Sequence, residues 1–390
     1  MWIERNISQS LRNLSAKTPV VLLVGARKTG KTALLKSVFP DLDHIAVDKP
    51  AASMEISDRP QEFIRRFEQC IFDNIQYAPE LLRELVRYPQ ENRRGSLPFI
   101  ATSTHVSENL NQIMAQFPEA VQVHQLFSLS AEELRATWIS SQERVHYCWK
   151  GGYPELWAES GLSTGQFFDE YIQEFIERDV RGLVNMKDRI DFQRFLGLCA
   201  QASGTALNYA DLARSSRVCA NTIKAWTAAL HTAGIIQLLP PYPGIGRKRI
   251  VKAPRLFFSD HGLLCYLLGI SSLRDYQAHP RRDMIWRNIT FGELSKTGAW
   301  VPGSTLFYYR DQNGAEIDFL LEYGKACSCI IARSDAPSPD ETGNFRRVKR
   351  AFKGRRVSHY AAAATTESTR QKEQGYHVYN PLYQSIQPGS

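Results

Sequence analysis

No uninterrupted apolar run in the 390-residue sequence approaches the roughly 20 residues that a membrane-crossing helix requires. The first residues, Met1-Trp2-Ile3-Glu4-Arg5-Asn6-Ile7, contain an early acid and no apolar core, so no secretory leader is expected. Cysteine is sparse and odd in number. Of the seven, only Cys327 and Cys329 are near neighbours, and Cys-x-Cys alone does not make a zinc site. These scarcities point to reduced thiols, a cytoplasmic setting and no structural zinc. Hydrophobic residues at 43% and charged residues at 23% are the proportions of a soluble globular chain, long enough for two or three cores.

Charge is unevenly placed. Residues 1–160 hold 18 Lys and Arg against 19 Asp and Glu, which leaves 30 and 21 of the respective totals of 48 and 40 for residues 161–390. The basic second half suits a polyanionic partner, or a generally basic surface.

Val20 to Val24 is a short apolar run of the length and composition of a buried parallel strand. It leads into Gly25-Ala26-Arg27-Lys28-Thr29-Gly30-Lys31-Thr32, followed by Ala33 and an apolar helical stripe of Leu34, Leu35, Val38 and Phe39. This is G-x-x-x-x-G-K-T with a strand before it and a helix after it, the context of a phosphate-binding loop. Glycine allows the backbone N–H groups of residues 25–33 to curl around phosphate, and the helix N-terminus adds its positive end. Lys31 is expected to reach the β and γ phosphates of ATP, and Thr32 to ligate Mg²⁺. The plain alternative is a glycine-rich turn bearing a surface lysine.

Cys70-Ile71-Phe72-Asp73 reads as a second strand ending in an acid, which makes Asp73 the other expected magnesium residue. The next position commonly carries a Glu that orients the attacking water; here it is Asn74, which cannot take a proton from water at neutral pH. Nucleotide binding with slow or absent hydrolysis is therefore expected. Leu97 to Thr104 is a further strand whose polar end offers Thr102 or Ser103 as a γ-phosphate sensor. Asp43–Val47 and Val121–Leu126 complete a five-stranded sheet.

Phe167 to Leu183 has helical spacing and ends in Glu177-Arg178-Asp179, read first as a surface ion pair. Helices are predicted over Phe192–Ala202 and Tyr209–Ala213, and a third over Thr222–Leu230 capped by Asn221. Strands at Gly234–Leu239 and Arg255–Phe258 flank the basic turn Gly246-Arg247-Lys248-Arg249. Helix, helix, helix, hairpin is the order of a winged helix. Thr222 and Lys224 would face outward on the recognition helix, with Arg247, Lys248 and Arg249 on the wing, so double-stranded DNA is a candidate partner. The alternative is a module that only packs against the rest of the chain.

Leu306–Arg310 and Ala315–Leu321 are strands joined by Asp311-Gln312-Asn313-Gly314, with Ala326–Arg333 as the next strand. Asp318 is placed like the first metal ligand of a restriction-endonuclease-like site, but Ile331-Ala332-Arg333 stands where an acid-x-Lys would complete it. Over residues 5–335 the chain resembles bacterial and archaeal AAA-type P-loop ATPases that carry a winged helix and a C-terminal restriction-endonuclease-like domain. The resemblance rests on the GARKTGKT loop, Phe72-Asp73-Asn74-Ile75-Gln76, Gly151-Gly152-Tyr153-Pro154-Glu155, the segment Tyr171 to Val180, the segment Lys252 to Leu263, and Gly314 to Phe319.

The resemblance implies an α/β P-loop domain over 1–130, a helical lid or linker over 131–190, a winged helix over 191–265 and a degenerate α/β restriction-endonuclease-like domain over 266–390. Four departures accompany it. Asn74 replaces a Glu, Glu119-Ala120 a Gly-Arg pair thought to lie near the phosphates, Arg287-Asn288 a Glu-Asn pair, and Ile331-Ala332-Arg333 a Glu-Val-Lys. Together they imply an ATP- and Mg²⁺-binding regulator or scaffold associated with DNA, weak in hydrolysis and without nuclease chemistry. An active ATPase switch or motor with another base, and a partner-binding protein in which ATP is structural, are the competing expectations. The basic stretch Phe345 to Arg356 reads as a solvated helix or a phosphate-backbone patch.

Overall fold

The computed structural model describes residues 2–13, 18–67, 69–88, 99–135, 141–159, 161–180, 189–243, 253–352, 354–364, 372–373 and 375–386. The chain divides into two compact units, residues 2–128 with 232–234, and residues 129–231 with 235–390.

The first unit is built on a parallel sheet of β1 (Val20–Val24), β2 (Asp43–Ala46), β3 (Cys70–Asp73), β4 (Phe99–Ser103) and β5 (Val121–Gln125), in the order β2-β3-β4-β1-β5. β1 is buried throughout, and its side chains alternate between two cores. Val20, Leu22 and Val24 pack with Phe72, Phe99 and Leu81; Val21 and Leu23 pack with Leu34, Leu35 and Ile100. A strand covered on both faces needs such a continuous apolar run. Because β4 lies between β1 and β3, the chain segments leaving all three emerge along one carboxyl edge, where parallel sheets bind ligands. Helix α1 (Lys31–Val38) follows β1.

The second unit begins with helices that include α2 (Ser141–Lys150) and α3 (Thr164–Glu174). Three more follow, α4 (Arg189–Gln201), α5 (Tyr209–Ser216) and α6 (Ala220–Thr232), then the antiparallel pair β6 (Ile236–Leu239) and β7 (Arg255–Phe258). Phe192 and Phe195 meet Trp226 at ring distances of 5.2 and 5.5 Å, fastening α4 to α6. Asn221 lies inside α6 rather than capping it, because the helix already starts at Ala220. The expected wing residues Arg247, Lys248 and Arg249 lie outside the described residues.

Beyond α7 (His261–Leu267) and α8 (Arg282–Lys296), a six-stranded sheet is assembled from β8 (Leu306–Arg310), β9 (Glu316–Tyr323), β10 (Ala326–Ala332), β11 (Arg356–Ala362), β12 (Lys372–Glu373) and β13 (Tyr376–Tyr379). Its order is β12-β13-β11-β10-β9-β8, with β10, β11 and β13 mutually parallel. The basic stretch after residue 345 is thus no appendage. It begins inside helix α9 (Pro339–Ala351), whose Phe345 and Val348 are buried against the sheet, and it leads into β11.

Candidate functional site

The loop after β1 is shaped by two glycines. A Cβ on Gly25 would stand 2.2 Å from the Leu126 carbonyl oxygen, and Gly30 sits at φ 93°, where a side chain is strained. Lys28 also takes a left-handed conformation, at φ 61°. Thr29 Oγ1 donates to the Ala26 carbonyl at 2.9 Å, tightening the loop from within. Lys31 turns back into it, its Nζ donating to the carbonyls of Gly25 at 2.7 Å and Ala26 at 3.0 Å. Gly30 offers no side-chain cap, so the first N–H groups of α1 have no capping side chain. Ala26 and Thr29 are buried, Arg27 and Lys28 half-buried, and Thr32 and Ala33 exposed, which leaves the Thr32 hydroxyl open for a ligand.

At the end of β3, Asp73 is buried and accepts from Thr102 Oγ1 at 2.8 Å. The same hydroxyl accepts from the Asn74 backbone N–H at 3.1 Å, so Thr102 ties β4 to the acidic end of β3. Asn74 itself is left-handed at φ 66°, a conformation asparagine tolerates better than most residues. Ser103 Oγ lies 3.0 Å from Gln76 Oε1, which also accepts from the Thr104 N–H at 3.3 Å. A backbone bond from Gly25 N to the Ser103 carbonyl at 3.1 Å brings the loop and this cluster together.

The residues fit a magnesium–nucleoside triphosphate. Lys31 can exchange its carbonyl partners for phosphate oxygens, and Asp73 and Thr32 are hard oxygen donors of the kind Mg²⁺ takes. Sequence reasoning missed three contributors. Arg5, buried far upstream, donates to the carbonyls of Thr29 at 2.9 Å and Phe127 at 2.7 Å and so holds the loop from behind. His44, on β2, places Nδ1 3.9 Å from Asp73 Oδ2; burial lowers its pKa, against the pull of Asp73. Gln76 is the third, present in the Phe72 to Gln76 motif but given no role there. Arg5 and His44 carry no local motif, since their roles arise from strand order.

One expectation is corrected. Glu119-Ala120 precedes β5, and the Ala120 carbonyl accepts from Val20 N at 3.1 Å at the start of β1. Parallel pairing puts these residues at the amino edge of the sheet, opposite the loop, so an arginine there would not approach the phosphates.

In the second unit, Lys224 is exposed with Nζ 5.9 Å from the Tyr209 ring, and Thr222 Oγ1 lies 3.1 Å from Cys219 Sγ. Asp318 is buried at the centre of an arginine cluster. Its Oδ1 faces Arg287 Nε at 2.9 Å and Arg255 at 3.4 Å, and its Oδ2 accepts from Arg333 at 2.7 Å and from the Ala332 N–H at 3.0 Å. Arg255 also pairs with Glu316, and Arg333 with Glu341. Burial alone would raise the Asp318 carboxyl. The three guanidiniums and the Ala332 N–H overcome it and hold the pKa at about 2. Two departures noted in the sequence, Arg287 and Arg333, thus converge on one carboxylate. No group of three or more His, Cys, Asp or Glu is arranged for a metal ion among the described residues.

Two other motifs are explained by packing. Gly151, at φ 78°, passes so close to Gly262 that a Cβ would meet its Cα and N at 2.7 Å. Asp260 accepts from Gly152 N at 2.8 Å while capping α7 through Gly262 N at 2.8 Å, and His261 Nε2 sits 2.6 Å from the Tyr147 carbonyl. The Gly-Gly-Tyr and Asp-His-Gly segments therefore lock α2 to α7.

The parallel sheet and its loop are those of a P-loop α/β domain of nucleotide-binding class, and residues 17–135 match the family model described as an AAA domain. Residues 141–274 match a domain of unknown function (DUF8612). Uncharacterized proteins of Mycobacterium bovis and Mycobacterium tuberculosis are each 28% identical over 347 residues, 87% of this chain and 76% of theirs. Among solved structures, a Walker-type ATPase of Pyrococcus abyssi is 13% identical with a TM-score of 0.45, covering 69% of this chain and 96% of that one. A RuvB variant of Thermotoga maritima is 17% identical with a TM-score of 0.32, covering 61% and 87%. Among the described residues, no helix is long and apolar enough to cross a membrane.

Proposed function

We propose that the protein binds Mg²⁺-ATP at residues 25–33 with Thr32 and Asp73, and hydrolyses it slowly, acting as a DNA-associated regulator or scaffold. The observation that carries the slow step is Asn74. It follows the magnesium carboxylate, is held by Thr102, and offers an amide where a base is needed. Asn74 can hydrogen-bond a water but cannot take its proton.

The DNA reading is supported by the order of α4, α5, α6 and the β6–β7 pair, by exposed Lys224, and by the basic composition of the second half. In this reading α4 to β7 form a winged helix with Thr222 and Lys224 toward the duplex and Arg247, Lys248 and Arg249 on its wing. The sheet carrying Asp318 is a degenerate restriction-endonuclease-like domain. A divalent cation at Asp318 would have to displace guanidiniums from both carboxylate oxygens, which argues for a structural role in place of nuclease chemistry.

A melting experiment tests the binding step. Mg²⁺-ATP at ~100 times its Kd raises the stability of the wild type by about 2.7 kcal/mol and leaves Lys31→Ala unshifted. No shift in the wild type, or an equal one in the variant, removes the proposal.

A further inference from the structure

Gln76 sits at the carboxyl edge of the first sheet on a single 3-10 turn, Ile75–Tyr77, two residues beyond Asn74. Its neighbours fix it there. Ile75 and Ala78 are fully buried in the core that contains Phe72 and Leu81, and the Tyr77 N–H donates to the Asn74 carbonyl at 3.1 Å. The side chain reaches across to the end of β4, where Oε1 lies 3.0 Å from Ser103 Oγ and accepts from the Thr104 N–H at 3.3 Å. A backbone N–H can only donate, so the oxygen of the amide faces β4 and its NH₂ group is the end left over. β4 is the neighbour of β1, and the Ser103 carbonyl accepts from the N–H of Gly25, the first residue of the loop. Ser103 thus joins the Gln76 amide to the loop.

The three hydroxyls at the end of β4 are committed within the fold. Thr102 donates to Asp73, Ser103 Oγ lies 2.5 Å from the His105 carbonyl oxygen, and Thr104 Oγ1 lies 3.0 Å from His105 Nδ1. Gln76 Nε2 differs from them: it is buried and has no partner among the described residues. An amide NH₂ carries two donors, and burying them without an acceptor is costly. The acceptor that a nucleotide on this loop would bring to the ends of β3 and β4 is a terminal phosphate oxygen.

We infer that Gln76 is the residue that tells a nucleoside triphosphate from a diphosphate, its NH₂ group donating to a γ-phosphate oxygen while Oε1 stays on Ser103 and Thr104. The inference rests on the proposed Mg²⁺-ATP site and adds to it a reading of the nucleotide's state. An amide suits that task, since it can hold the terminal phosphate without supplying a base.

Titration of the full chain with Mg²⁺-ADP and with the Mg²⁺ complex of adenylyl imidodiphosphate, a triphosphate analogue that resists cleavage, reads the discrimination. Gln76→Glu keeps the oxygen that faces Ser103 and Thr104 and replaces the donor with an anion. It should weaken the triphosphate about ten-fold or more, the effect of exchanging a charge-assisted hydrogen bond for repulsion. Gln76→Met, of similar length with neither donor nor charge, should weaken it about three-fold or more. In both variants ADP should bind within about two-fold of wild type, because it has no γ-phosphate to lose, and that binding also shows that the variant is folded. Loss on both nucleotides alike, as a purely structural Gln76 would give, or a ratio unchanged in either variant, would overturn the inference while leaving the nucleotide site in place. Failure of wild type to bind either nucleotide would remove the site itself, and the inference with it.

Discussion

Thr102 donates its hydroxyl proton to Asp73 across 2.8 Å at the carboxyl edge of the first sheet. In the proposed site that bond would give Thr102 a different task from the one its strand position suggested: a hydroxyl committed to Asp73 would orient the proposed magnesium carboxylate instead of sensing a γ-phosphate. Thr102→Val should therefore lower the affinity for Mg²⁺-ADP and Mg²⁺-ATP alike, and destabilise the fold by about 1–3 kcal/mol through the unsatisfied Asp73 and Asn74 groups. Titration with both nucleotides checks it; a loss confined to ATP would return Thr102 to a sensing role.

The Asp318 cluster should make the second unit sensitive to acid. The folded carboxyl titrates at about 2 against an ordinary value of 3.8. Its contribution, on the order of 2–3 kcal/mol, is fully present above the unfolded pKa and is lost as pH falls through the folded one, between about pH 5 and 2. Asp318→Asn should remove that part of the acid dependence. It should also destabilise the fold at neutral pH, by up to about 3 kcal/mol, because the three guanidiniums lose the carboxylate they share while Arg255 and Arg333 keep Glu316 and Glu341. Urea unfolding at a series of pH values measures both. A variant as stable as wild type at pH 7 would show the cluster to be dispensable.

If double-stranded DNA binds as proposed, Lys224→Glu combined with Lys248→Glu and Arg249→Glu should weaken it for all sequences. The slope of log affinity against log salt should fall by about 0.9 for each phosphate no longer neutralised. Fluorescence anisotropy at several salt concentrations reads the slope; an unchanged slope would place the DNA-binding surface elsewhere.

The three central strands of the first unit, β1, β3 and β4, could be read in the sequence because each is a short, largely apolar run, and the loop because its chemistry is local: Gly25, Gly30 and Lys31 lie within seven residues. The residues that complete the site were not legible. Arg5 reaches Thr29 and Phe127 only after the chain has folded, and Glu119 looked relevant until parallel pairing put it at the far edge. In the second unit β8 and β9 flank the hairpin signal at Gly314 and β10 comes next, whereas β11 and β13 pair in parallel over long separations that leave no periodic trace. The charges of Arg287 and Arg333 were visible as departures. Their shared target, Asp318, was visible only as a separate acid, since 31 and 15 residues of chain separate them from it.

In the proposed reading Asn74 is the residue that limits the chemical step, and single-turnover hydrolysis of bound ATP in wild type, Asn74→Glu and Lys31→Ala tests that role most directly. Wild-type turnover should lie close to the Lys31→Ala blank while Mg²⁺-ATP still binds. Asn74→Glu should recover part of the roughly 10²–10⁴-fold that a general base typically supplies. It should do so at a stability cost of about 1–2 kcal/mol, because position 74 is left-handed at φ 66° and glutamate tolerates that less well than asparagine. Brisk wild-type turnover that Lys31→Ala abolishes would contradict the reading of a nucleotide-binding site without its base.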